Sequence, residues 1–209
     1  VILRAKRSRA GAIAAACAAL AIALTGCSSG DTLPSRVPGN NEVPQGQQPG
    51  TDPNGAWQEF PAGNRATPKE FTGTTETGAT TGSADLAGKV SIVNFWYAAC
   101  PPCRVEARDL EAVKQQFAPQ GVEFLGVNIY DQAPTVDSFN QEFGVTYPSI
   151  LDVSDANVRL AFADSVPPQA IPTTLVLDRE GRVAAVIRGP IDKSILKSML
   201  ETVLAEGGK

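Results

Sequence analysis

Asn94-Phe95-Trp96-Tyr97-Ala98-Ala99-Cys100-Pro101-Pro102-Cys103 carries two cysteines two residues apart. An apolar, β-type run (Val90, Ile92, Val93, Phe95) precedes the pair, and a helical pattern follows it. Pro101 and Pro102 suit a helix start, where a missing N–H costs little. A thiol at a helix N-terminus meets unpaired N–H groups and the positive end of the helix dipole, and both favour thiolate. A second thiol one turn later is placed to attack any mixed disulfide formed by the first. Residue types and context together read as a dithiol/disulfide redox centre.

A zinc knuckle and a pair of buried structural cysteines are the plainer alternatives. Zinc needs further Cys or His ligands. The chain has no histidine, and its other cysteines, Cys17 and Cys27, lie in a very different segment. No metal and no cofactor is expected. The absence of histidine also excludes Ser-His hydrolysis. The Pro-x-x-x-Thr/Ser-x-x-Cys pattern of peroxiredoxins is missing.

The N-terminal segment has the pattern of an export leader. Arg4, Lys6, Arg7 and Arg9 precede an uncharged, apolar Ala10 to Leu24. That length suits a secretory h-region better than a membrane span. It closes on Leu24-Thr25-Gly26-Cys27, which resembles the lipobox of bacterial lipoproteins. Residues 1–26 are therefore expected to be a lipoprotein signal peptide, with Cys27 the lipidation site. The alternative is an ordinary signal peptide with a chance cysteine. Cys17 would be lost with the leader. With Cys27 lipidated, Cys100 and Cys103 are the one remaining thiol pair, so the pair is function and not a staple. An extracytoplasmic setting at the outer face of the cell membrane permits that chemistry.

The chain is acidic, with a formal net charge of −4, and four of its basic residues lie in the leader. No basic stripe exists, so nucleic acid is excluded as a partner. Residues 27–68 are expected to comprise the lipid-attachment cysteine and a flexible tether. Residues 28–68 hold seven prolines and six glycines but few large apolar side chains, too few to offset ordering entropy. Trp57 and Phe60 are the exceptions whose packing is left open.

Residues 69–209 are expected to form one domain. Phe71 to Leu86 reads as a loose hairpin, Lys89 to Phe95 as a strand and Pro101 to Phe117 as a helix. Val122 to Ile129 reads as a central strand. Thr135 to Phe143 reads as a helix capped by Thr135 and stopped by Gly144. Ser149 to Leu151 is a short strand and Ala156 to Ala163 a helix. Thr173–Leu177 and Val183–Ile187 form a hairpin. Lys193 to Leu204 is a final helix behind the N-cap Asp192. Strands alternating with helices give an α/β fold, a sheet flanked by helices.

This order resembles the thioredoxin fold and, more narrowly, the membrane-anchored TlpA/ResA group. The matching stretches are Leu86-Ala87-Gly88-Lys89-Val90, Val93-Asn94-Phe95-Trp96 with the Cys-Pro-Pro-Cys, Glu106, and Gly126-Val127-Asn128. Further on come Phe139 to Gly144 with Tyr147-Pro148, Ile171-Pro172-Thr173-Thr174, Leu177 to Val183, and Gly189. The resemblance covers about residues 71–206. It implies a thioredoxin-like fold whose mixed sheet is flanked by helices, with an N-terminal β-hairpin and a helical insertion. Two positions depart from the group: Ala99 stands where relatives carry Trp, and Arg108 where they tend to carry Pro. Ala99 removes an aromatic surface beside the nucleophile.

Cys100 is expected to be the more exposed thiol and the nucleophile, and Cys103 the resolving thiol. Glu106, Leu110, Val113 and Phe117 make a core-facing stripe at helical spacing. A carboxyl there is costly unless useful or paired. Three residues from Cys103, it is suited to carry that thiol's proton; the alternative is a solvated Glu paired with an Arg of the same helix. Thioredoxins use a buried Asp on the preceding strand, where Asn94 stands here. The resemblance makes Ile171–Pro172 a cis bond whose exposed backbone pairs with an extended substrate. Ile171, Pro172 and Trp96 are the substrate-binding candidates, with packing the competing role for Trp96.

The expected activity is lipid-anchored thiol–disulfide oxidation–reduction on protein substrates. The resemblance leans toward a reductase fed by a membrane electron-transfer partner, with apocytochrome c a possible substrate. A monomer is expected. An oxidant of folding secreted proteins and a Cu(I)-handling thioredoxin-fold lipoprotein are the competing readings; soft thiolates suit Cu(I).

Overall fold

The computed structural model describes residues 50–167 and 169–207. The expected leader, Cys27 and the first part of the tether lie outside the described residues. In chain order the strands and helices are β1 (Trp57–Glu59), β2 (Thr72–Thr74), β3 (Thr80–Gly82), α1 (Ser83–Leu86), β4 (Ser91–Trp96), α2 (Pro101–Phe117), β5 (Glu123–Asn128), α3 (Ala133–Phe143), β6 (Ser149–Leu151), α4 (Asn157–Ala161), β7 (Thr173–Leu177), β8 (Val183–Arg188) and α5 (Lys193–Glu206).

Six strands form one mixed sheet in the order β1-β8-β7-β4-β5-β6. β4 is central, parallel to β5 and antiparallel to β7, and every residue from Ser91 to Trp96 is buried. Its side chains alternate between two cores, as a period of two demands. Ile92 and Trp96 point into one core with Ala107, Leu110, Val113 and Phe117 of α2 and Leu196, Met199, Leu200 and Val203 of α5. Val93 and Phe95 point into the other, with Val158, Phe162 and Phe71. The expected mixed sheet flanked by helices is therefore present. No helix of the described residues is long and apolar enough to cross a membrane.

Three sequence expectations need correction. The hairpin of β2 and β3 ends earlier than Leu86, because Asp85 accepts the Gly82 N–H at 3.0 Å and starts the short helix α1. α3 begins before Thr135, at Ala133, with Gln132 as its cap residue and Pro134 in its first turn; Gly144, at φ 72°, ends it as expected. The third correction concerns the tether. Residues 57–59 are an edge strand antiparallel to β8, with Trp57 opposite Ile187 and Glu59 opposite Ala185. Trp57 and Phe60 each pack against a core. The fold thus begins well upstream of residue 69.

Arg65 fastens this segment. Its guanidinium, 2% exposed, donates to the Phe60 carbonyl (3.0 Å), to Asp178 (3.0 Å) and to both carboxylate oxygens of Glu206 (2.6 and 2.7 Å). Asp178 also accepts from Arg182 at 2.8 Å. A polar segment with few apolar side chains is held by a nearly buried charge cluster in place of a large core of its own. Arg65→Ala should lower unfolding stability by about 1–3 kcal/mol, since it takes one of two cationic partners from the buried Asp178 and leaves Glu206 and the Phe60 carbonyl without theirs. Urea unfolding would measure this, and limited proteolysis should then cut within residues 50–68; an unchanged midpoint and cleavage pattern would contradict it.

Candidate active site

β4 delivers the chain to the start of α2, and Cys100 is the N-cap of that helix. Pro101 and Pro102 occupy its first turn, where they forfeit no helical hydrogen bond. The Cys103 N–H donates to Cys100 Sγ at 3.2 Å. The two cysteines are joined as a disulfide. The expected difference in exposure is not found: Cys100 is 1% and Cys103 2% exposed. Both sit in an apolar cluster against which Tyr97, Ala98 and Ile171 pack. What distinguishes Cys100 is its sulfur at the helix terminus.

Glu106 lies where the helical stripe puts it, 1% exposed, like Leu110 (1%) and Phe117 (1%). Its partners exclude the solvated, Arg-paired alternative. Asn94 Nδ2 donates to Oε1 at 2.9 Å and the Ile191 N–H to Oε2 at 2.9 Å. Asn94 Nδ2 also donates to Thr174 Oγ1 at 3.0 Å, two residues beyond Pro172. Burial pushes the Glu106 carboxyl up to about 7, against the smaller opposing pull of Ile191 and Asn94. Glu111, on the same helix, goes the other way. Burial raises it, but donation from Thr146, from Gln115 and the Lys114 charge outweigh that and hold it below its ordinary value. Two carboxyls five residues apart on one helix are thus set for different protonation states near neutral pH.

The Ile171–Pro172 bond is cis, as expected. Pro172 is buried and its carbonyl accepts the Gly189 N–H at 2.8 Å; Ile171 is half-buried. Trp96 does not belong with them. It is 4% exposed, its ring lies 4.3 Å from that of Phe139, and its Nε1 donates to Ser149 Oγ at 3.1 Å. Gly126 leaves space for that bond; a Cβ there would sit 2.1 Å from Ser149 Oγ. Trp96 is a packing residue because its strand position faces α2; the next residue, Tyr97, lies with its ring 5.5 Å from that of the exposed Tyr130.

A void of about 10 Å³ borders Cys103, lined by Asn94, Trp96, Phe139 and Tyr147 among others. That is room for about one water. Burial, then the charges of Glu106 and Glu111, raise the Tyr147 phenol and keep it neutral. Among the described residues, no group of three or more His, Cys, Asp or Glu is placed to hold a metal ion. The Ile191 N–H and the Tyr147 phenol were missed by sequence reasoning: a backbone donor has no residue signature, and Tyr147 is 44 residues from Cys103.

A helix-capping cysteine pair, a cis-proline loop and a central mixed sheet define the class of thioredoxin-fold dithiol/disulfide proteins. The chain belongs to the Redoxin family, whose model matches residues 60–204, more than half of its length. The thiol-disulfide oxidoreductase ResA of Geobacillus thermodenitrificans is 34% identical over 119 residues, covering 57% of this chain and 66% of that protein. This chain therefore spans slightly less than two thirds of that relative's length. A DsbF homologue from Corynebacterium diphtheriae superposes with a TM-score of 0.63 at 28% identity, covering 75% of this chain and 96% of that one. A secreted thiol-disulfide isomerase from Corynebacterium glutamicum gives 0.65 at 25% identity, covering 78% and 95%.

Glu106 has a consequence for stability. Unfolded, it ionises near its ordinary value of 4.5; folded, near 7. Between those values the native state keeps a proton that the unfolded chain has released. Its contribution is complete below about 4.5 and is lost as pH rises through about 7, a fall of about 3 kcal/mol. Glu106→Gln should remove that fall. Denaturant titrations of both oxidised proteins from pH 4 to 8 would test it, and parallel stability curves would refute it.

Proposed function

We propose that this chain is an extracytoplasmic thiol–disulfide oxidoreductase, held at the outer face of the cell membrane by lipid on Cys27, that reduces protein disulfides. The observation that carries the reading is the Cys100–Cys103 pair at the N-terminus of α2, three residues before a buried carboxyl whose pKa is about 7. The thiol–disulfide activities of the relatives support the chemistry, and the secreted relative from Corynebacterium glutamicum supports a location outside the cytoplasm. Apocytochrome c is the substrate that the family resemblance suggests.

In the reducing direction the Cys100 thiolate attacks one sulfur of a substrate disulfide. A mixed disulfide forms, and the other substrate sulfur leaves as thiolate and takes a proton from solvent. Cys103 gives its proton to the Glu106 carboxylate and attacks Cys100 Sγ. The second substrate sulfur leaves, the Cys100–Cys103 disulfide closes, and two electrons have passed to the substrate. A membrane electron-transfer partner then restores the dithiol. Pro172 is placed to align the substrate strand beside Cys100, with Ile171 next to it. The protein acts as a monomer and needs no cofactor.

Glu106→Gln keeps the shape and removes the titratable group. Insulin-disulfide turnover should slow by roughly 10- to 100-fold and its pH profile should lose a limb, with the fold unchanged. Unaltered kinetics across pH would remove Glu106 from the proton path. Strong Cu(I) binding without any exchange would overturn the enzyme itself.

The reduction potential of the pair tests direction. A value close to the thioredoxin level of about −270 mV fits a reductase, whereas one near about −120 mV would make the protein an oxidant. Cys27→Ala should release the protein from the membrane fraction or leave it unprocessed; a free Cys27 thiol on soluble wild-type protein would refute the anchor.

A further inference from the structure

The turn that presents Cys100 is held by a charged side chain from the neighbouring strand end. Asp131 Oδ2 accepts the Ala98 N–H at 2.6 Å. That carboxylate is itself braced. Asn128 Nδ2 donates to the same oxygen at 2.9 Å, and Asn128 Oδ1 accepts the N–H groups of Tyr130 (3.0 Å) and Asp131 (2.7 Å). Asn128 is fully buried at the end of β5, opposite Trp96 in the parallel β4–β5 register. On the far side of the same residue, Arg104 leans over the Ala98 carbonyl at 3.4 Å. Its guanidinium is held by Glu142 at 2.6 Å and lies 4.7 Å from the centre of the Phe143 ring. The peptide groups of Ala98 are thus gripped at N–H by a carboxylate and at C=O by a guanidinium. Two residues later the Cys100 N–H returns to the Tyr97 carbonyl at 3.2 Å, and Cys100 caps α2.

We propose that Asp131 is a positioning residue of the redox centre: through Ala98 it fixes the Tyr97–Cys100 turn and so keeps Cys100 Sγ at the helix terminus where its thiolate is stabilised. This rests on the reading of Cys100 as the nucleophile. The Ala98 N–H cannot join the β4 ladder, because β4 ends at Trp96. It sits in a turn with no main-chain partner for it, and Asp131 supplies one. Asp131 is also an anion close to the site, and as a bare charge it would oppose a thiolate. Hydrogen bonding and charge therefore act on Cys100 in opposite senses, which makes them separable.

Asp131→Ala removes both effects; Asp131→Asn removes the charge and keeps an acceptor for the Ala98 N–H. Iodoacetamide alkylation of the reduced proteins, carried on a Cys103→Ser background and followed against pH, reads the Cys100 pKa directly. In Asp131→Ala the pKa should rise by about one unit, so that alkylation at pH well below the pKa slows about tenfold. In Asp131→Asn it should match or fall slightly below the parent. A parent-like profile in Asp131→Ala, or an equal rise in both variants, would overturn the proposal. A loss of global stability alone would leave the pH profile unmoved.

Should Asp131→Ala fail to fold, wild-type amide exchange still decides. The Ala98 amide should be protected in both redox states, and free exchange there would overturn the clamp. Neither measurement uses a protein substrate. Failure of disulfide turnover in the wild type would therefore count against the enzyme reading alone.

Discussion

The Glu106 carboxylate takes one N–H from Asn94 on β4 and one from Ile191 ahead of α5, with almost no contact with water. Those two bonds tie α2 to the central strand and to the connection that follows β8. Asn94 passes the link on to Thr174 of β7. Rotating α2 about its axis would strand a carboxyl in an apolar core, at a cost of several kcal/mol. The helix can therefore seat in one way only, and that seating fixes the phase of every other residue on it. Cys103 faces the core one turn before Glu106, and Leu110, Val113 and Phe117 follow on the same side.

The site is best understood as a junction of three polar anchors around an apolar disulfide. Glu106 anchors the helix from below, Asp131 anchors the turn that enters it, and the cis-proline loop closes the third side. None of them is placed in open solvent. This division leaves the sulfurs in a low-dielectric setting while the polar groups are satisfied elsewhere. It also explains why two acids on one helix differ. Glu111 collects donors from Thr146 and Gln115 and remains a structural anion. Glu106 has too few donors to offset its burial, and its carboxyl is pushed up to about 7.

Much of this was legible in the residues. An apolar run ending in Cys-Pro-Pro-Cys announces a strand feeding a helix, and the spacing from Glu106 to Phe117 announces which face is buried. The alternation of Ile92, Asn94 and Trp96 already puts Trp96 on the α2 side, so its interior position was available from period two alone. β1 was not legible. Trp57-Gln58-Glu59 is three residues at a sheet edge, flanked by prolines and glycines, and its hold comes from Arg65 meeting Asp178 and Glu206 more than a hundred positions later. Local composition carries no trace of such a pairing. The same holds for the Ile191 N–H, which any residue but proline would supply.

The edge strand has a mechanical meaning. A load applied to the chain upstream of residue 50 reaches β1 and the Arg65 cluster before any other part of the domain. β1 pairs with β8 across the sheet from β5 and β6, so three strands separate it from the Asn128–Asp131 brace. Tugging would first strain a short ladder and an ion cluster, both able to yield and re-form.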